Sequence, residues 1–96
     1  MNDQVLSDEQ IESEVAKLNV GWTHIPGEGV VRVFETDSFG EGLGLVAKIG
    51  EAAERRGYYP EVTLRPDEVD VTAFSADAGG VTQADIDLAK AIDAAL

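Results

Sequence analysis

Apolar positions in this chain recur at helical spacing in three stretches and cluster or alternate as strands in four others. Val5-Leu6 leads into Ser7-Asp8-Glu9-Gln10. That is a capping box: Ser7 accepts from the backbone three residues on, and Gln10 reaches back. Ile11, Val15 and Leu18 follow on one helical face, and Gly21 ends that region. Trp22 to Ile25 reads as a short strand and Pro26-Gly27-Glu28-Gly29 as a turn. Val30 to Thr36, rich in branched and aromatic residues, completes a hairpin.

Asp37 or Ser38 caps the next helix. There Phe39, Leu43, Val46, Gly50 and Ala53 share a face, with Gly42, Leu45 and Ile49 widening it. Gly40, Gly42, Gly44 and Gly50 lie inside this helix. Each costs about 1 kcal/mol relative to alanine, so together they predict close packing. Gly57 stops the helix. Glu61 to Arg65 is extended, Pro66-Asp67-Glu68 turns, Val69 to Ser75 is a strand and Asp77 to Gly80 a loop. Thr82 caps the last helix with Asp85 three residues on, and Ile86, Leu88, Ala89, Ile92 and Leu96 form its apolar face. The order α-β-β-α-β-β-α over residues 1–96 predicts an α+β domain, a four-stranded antiparallel sheet with three helices packed on one face.

The chain has 96 residues, 44% hydrophobic, which suits a globular domain small enough to gain from self-association. With no cysteine, disulfides and thiolate metal sites are excluded. Met1-Asn2-Asp3-Gln4 lacks a leader's positive charge and apolar run. No apolar stretch nears the ~20 residues that span a bilayer, so the expected location is cytoplasmic. The net charge of -12, from 19 acidic and 7 basic residues, disfavours nucleic acid and anionic membranes as partners. A basic protein surface fits this charge; so does simple solubility.

Glu54-Arg55-Arg56-Gly57-Tyr58-Tyr59-Pro60, then Asp77-Ala78-Gly79-Gly80-Val81-Thr82 and Asp85, resemble the signature of the pterin-4a-carbinolamine dehydratase family. Leu6-Ser7-Asp8-Glu9, Gly21-Trp22, Phe39, Gly42, Gly50 and Ala53 extend the likeness over almost the whole chain. The resemblance implies the fold just predicted. It also implies dehydration of a 4a-hydroxytetrahydropterin, in which one ring atom loses hydroxyl and a neighbouring nitrogen loses a proton. In the family the two residues before the proline are histidines, and a third histidine precedes the Asp-Ala-Gly-Gly turn. Here those positions are Tyr58, Tyr59 and Ala76, and the family's aromatic six residues after the proline is Pro66. Histidine suits both proton transfers near neutral pH. A phenol of pKa about 10 is a worse base at pH 7 by about three units, or roughly 4 kcal/mol.

These departures predict a degenerate site at Glu54, Tyr58, Tyr59, Pro60, Ala76 and Asp77, with no catalytic residue and no cofactor. Similarity to a divergent, histidine-lacking branch that occurs with the alpha-carboxysome implies an assembly factor for RuBisCO, with the large subunit as client and a homodimer as its form. A weak or altered dehydratase using Tyr58, Tyr59 and Glu54 is the alternative. A dimerisation or scaffold module for another protein is a third. Tyr58 and Tyr59 read equally as core and pocket-mouth rings or as an anchor for a protein partner. Asp85 reads as the capping partner of Thr82. Trp22 reads as core. His24, the only histidine, reads as a partly exposed strand residue and not a metal ligand. Gly40-Glu41-Gly42-Leu43-Gly44 reads as packing and not a phosphate loop. Asp67, Glu68 and Asp70 read as solvated acids. Ser13, Ser38 and Ser75 show no base partner that would make a nucleophile.

Overall fold

A computed structural model describes residues 4–96. The leader reading at Met1–Asp3 lies outside them. The elements are α1 (Asp8–Val15), β1 (Thr23–Ile25), β2 (Gly29–Glu35), α2 (Phe39–Arg56), β3 (Glu61–Arg65), β4 (Glu68–Ala73) and α3 (Gln83–Ala95). The strands form one antiparallel sheet in the order β1-β2-β4-β3. With its three helices this is the α+β architecture that the hydrophobic pattern predicts. Among the described residues no helix is long and apolar enough to cross a membrane.

Alternation in β4 buries Val69, Val71 and Ala73. The intervening residues face the other side of the sheet. Ile49 of α2 and Ile86, Leu88 and Ile92 of α3 are fully buried against Val30, Val69 and Val71. Each such side chain contributes about 1.5–3 kcal/mol of transfer free energy. Asp93, near the end of α3, ties the sheet edge to this core. It accepts from the Trp22 indole at 2.8 Å, the Asn19 amide at 2.9 Å and Arg32 at 3.1 Å. Trp22 is buried, as its expected core role requires.

Three local expectations are corrected. The first helix ends at Val15. Leu18 still packs on the core, but from the turn that follows. In α2 the buried line is Gly42, Ile49, Ala52 and Ala53, whereas Phe39 and Leu43 are 52% and 54% exposed. A stripe apolar over so wide an arc does not reveal which part meets the sheet. Of the four helix glycines only Gly42 is held by tertiary packing. A Cβ there would lie 2.8 Å from Leu64 Cδ1, while Gly44 and Gly50 face open space and Gly40 meets only its own cap residue Ser38.

On the uncovered face, Glu35 stands opposite Glu68 and Val33 opposite Asp70. Glu68 shares a hydrogen bond with Asp70 and is repelled by its charge, which holds the Glu68 carboxyl above its ordinary range. Arg65 bridges both acids, at 3.3 Å to Glu68 and 3.2 Å to Asp70. Among the described residues no group of three or more His, Asp or Glu side chains could hold a metal ion.

Candidate functional site

Two chain reversals build the main cleft. The first is the end of α2. Gly57 takes the left-handed conformation (φ 68°), and the N–H groups of Gly57 and Tyr58 both donate to the Ala53 carbonyl. Glycine adopts this geometry without steric cost, and it projects Tyr58 and Tyr59 away from the helix axis. The second follows β4. The Ser75 carbonyl accepts from the amides of Ala78, Gly79 and Gly80, and the Ser75 amide donates to Gly80. This closes the Asp77–Gly80 turn and delivers the chain to the cap of α3 at Thr82.

Between these reversals lies a cleft of about 440 Å³, within the range of small-molecule sites. Tyr58, Tyr59 and Phe74 supply aromatic surface. Ser75, Asp77 and Thr82 supply polar groups, and Gly57, Ala76, Ala78 and Ala84 complete the lining. Tyr58 is half-buried against the core, while Tyr59 is 60% exposed at the rim. One ring packed inward and one at the mouth is one of the two arrangements open from the sequence.

Of the six predicted site residues, Tyr58, Tyr59, Ala76 and Asp77 line this cleft; Glu54 and Pro60 do not. Glu54 is exposed and reaches the Tyr59 hydroxyl only at 3.5 Å, the outer limit of a hydrogen bond. Pro60 is half-buried just beyond the lining.

Behind Tyr58 runs a buried polar chain. The phenol hydroxyl bonds Ser75 Oγ. Ser75 Oγ donates to Asp85 Oδ2 at 2.7 Å and contacts Thr82 Oγ1 at 3.0 Å. The Thr82 amide donates to the same Asp85 oxygen at 2.9 Å. Asp85 is fully buried. It is the capping partner of Thr82, as the sequence spacing predicts, and it also anchors Ser75. Burial, and after it the Asp85 charge, push the Tyr58 phenol above its ordinary pKa. Tyr58 is therefore a still poorer base at neutral pH than a free phenol.

Ser75 and Phe74 are the site residues that sequence reasoning missed. Ser75 is bonded to an acid after all, ten residues downstream, once the Asp77–Gly80 turn folds back. His24 lies in β1 at intermediate exposure overall, as the sequence predicts. Its side chain is only 4% exposed and lies 3.2 Å from Glu12, and it lines a separate cleft with Leu6, Ile11 and Phe74. No residue lining the main cleft carries an imidazole.

The family model for pterin 4 alpha carbinolamine dehydratase matches residues 4–95. A protein of Nocardia farcinica named "Putative pterin-4-alpha-carbinolamine dehydratase" is 40% identical over 93 residues, 97% of this chain and 96% of the relative. One of Natronomonas pharaonis with the same name is 41% identical over 93 residues, with the same coverage of both chains. A crystal structure of a transcriptional coactivator/pterin dehydratase from Brucella melitensis superposes with a TM-score of 0.83 at 27% identity, covering 96% of this chain and 98% of that one. With a cleft built by the Tyr58-Tyr59-Pro60 and Asp77–Gly80 segments, and with relatives aligned end to end, this chain belongs to the pterin-4a-carbinolamine dehydratase family.

Proposed function

We propose that the main cleft holds a reduced pterin and that the chain is a slow or altered 4a-hydroxytetrahydropterin dehydratase. The observation that carries this reading is the cleft itself. It stays open at about 440 Å³ with three aromatic walls although its histidine positions hold other residues. A flat bicyclic ring would stack on Tyr58, Tyr59 or Phe74 and hydrogen-bond Asp77 or the Tyr58 hydroxyl. Elimination moves hydroxyl off one ring carbon and a proton off the adjacent nitrogen. With phenols in place of imidazoles, assistance is confined to hydrogen bonding and water exclusion, which predicts low turnover. Calorimetry with tetrahydrobiopterin tests binding. Dehydration of freshly generated carbinolamine tests turnover, which should exceed the spontaneous rate and fall in Tyr58→Phe. A chain that binds no pterin rejects this reading.

A second reading, a non-catalytic assembly factor for RuBisCO, draws support from a different surface. Phe39 and Leu43, one helical turn apart on α2, and Val33 on the uncovered sheet face are each about half exposed, and pterin chemistry requires none of them. Such apolar surface suits a protein client. Co-expression of RuBisCO large subunit with and without this protein tests it; an unchanged yield of assembled enzyme rejects it. In either role we propose a cytoplasmic homodimer, checked by light scattering on the purified chain.

A further inference from the structure

The hydrogen-bond order behind Tyr58 fixes how the cleft presents that phenol. A hydroxyl has one proton to give and two lone pairs to receive. Asp85 Oδ2 takes the Ser75 proton at 2.7 Å. Ser75 has then spent its only proton. Thr82 Oγ1 lies 3.0 Å from Ser75 Oγ and donates toward Asp85 Oδ2 at 3.4 Å; neither contact gives Ser75 a second proton to donate. The remaining contact, with the Tyr58 hydroxyl, can be made only with the phenol donating. Its proton points into the protein, and its oxygen lone pairs remain for the cleft.

We propose that Tyr58 is a fixed hydrogen-bond acceptor, ordered by Ser75 and Asp85, which selects pterins carrying hydrogen on the ring nitrogen turned toward it. The inference rests on the pterin reading above. It separates two oxidation states of one ligand. Tetrahydropterins, including the 4a-hydroxy form, bear an N5–H that donates to the phenol oxygen. In 7,8-dihydropterins N5 is an imine whose lone pair would face another lone pair. Tyr58 thus acts as a specificity-determining group, and Ser75 and Asp85 as positioning residues behind it.

The test measures tetrahydrobiopterin and 7,8-dihydrobiopterin binding, without oxygen, to the wild type, Tyr58→Phe and Ser75→Ala. The wild type should favour the tetrahydro form by about tenfold, the worth of one hydrogen bond made rather than opposed. Tyr58→Phe should bring the ratio near one. Ser75→Ala frees the phenol to donate, so the dihydro form should gain. A wild-type ratio near one, or a preference that survives in Tyr58→Phe, overturns the proposal. If neither pterin binds, the pterin reading falls and the selectivity with it. The hydrogen-bond order is then read without ligand, from the Tyr58 ring C–O stretch isolated as an infrared difference between wild type and Tyr58→Phe. That band should shift in Ser75→Ala, and an unshifted band overturns the order itself. Tyr58→Phe removes only a hydroxyl, so it carries the binding test alone if Ser75→Ala does not fold.

Discussion

Placing imidazoles in the cleft should bring fast elimination. The perturbation is the triple variant Tyr58→His, Tyr59→His, Ala76→His. At pH 7 a phenol of reference pKa about 10 is ionised in about one molecule per thousand, whereas an imidazole of pKa about 6.5 is roughly three-quarters free base. Burial and the Asp85 charge push Tyr58 further from ionisation. The deficit is thus about 10³, or roughly 4 kcal/mol of barrier. Ala76 is exposed on the cleft wall, so a ring there displaces no core atom. Tyr58 is half-buried against the core, so its replacement should cost about 1–2 kcal/mol of stability. The assay follows dehydration of carbinolamine against the spontaneous rate. The triple variant should exceed wild type in kcat/KM by about 10²–10³, the usual worth of a positioned acid–base group, with a new inflection near pH 6.5. A wild type within tenfold of the triple variant, or an unchanged pH profile, would refute the claim that proton transfer is what this cleft lacks.

Asp93→Ala should cost about 2–4 kcal/mol in urea unfolding and red-shift Trp22 fluorescence, because it removes the acceptor shared by the Trp22 indole and Arg32. Gly44→Ala and Gly50→Ala, which meet open space, should each raise stability by about 0.5–1 kcal/mol in the same measurement. Gly42→Ala should gain less or lose, because its Cβ presses on Leu64. Glu68→Gln should raise Tm at neutral pH. An acid whose pKa is raised by folding loses stability as pH climbs through its titration range, so the difference from wild type should vanish below about pH 4; a difference that persists there would exclude repulsion from Asp70 as its source.

Element order and type were legible because each segment announces its own ends. Ser7 with Gln10, and Thr82 with Asp85, form capping boxes, Ser38 caps α2, and Gly57 stops it. The facing of α2 was not legible. Its apolar residues spread over too wide an arc, and only the position of Leu64 on β3 shows why Gly42 lies inward. Part of the site was legible as a motif: Tyr58, Tyr59, Ala76 and Asp77 share one cleft. The bonds to Ser75 were not, because they join residues 17 and 10 apart. Those contacts exist only after two chain reversals, and no local period encodes them.

This separation lets the frame stay fixed while the side chains of the cleft vary. Asp85 caps α3 through the Thr82 amide and holds Ser75 through the same oxygen, so it answers to helix stability whatever occupies positions 58, 59 and 76. Gly57 answers to the end of α2 and the Asp77–Gly80 turn to the hydrogen bonds of Ser75. None of these constraints involves an imidazole. The three departing side chains line the cleft; exchange at exposed Tyr59 and Ala76 leaves the core untouched, and exchange at half-buried Tyr58 disturbs it only at its edge. Kept scaffold residues therefore establish membership of the family, while the reaction must be sought in the side chains that the scaffold leaves free to vary.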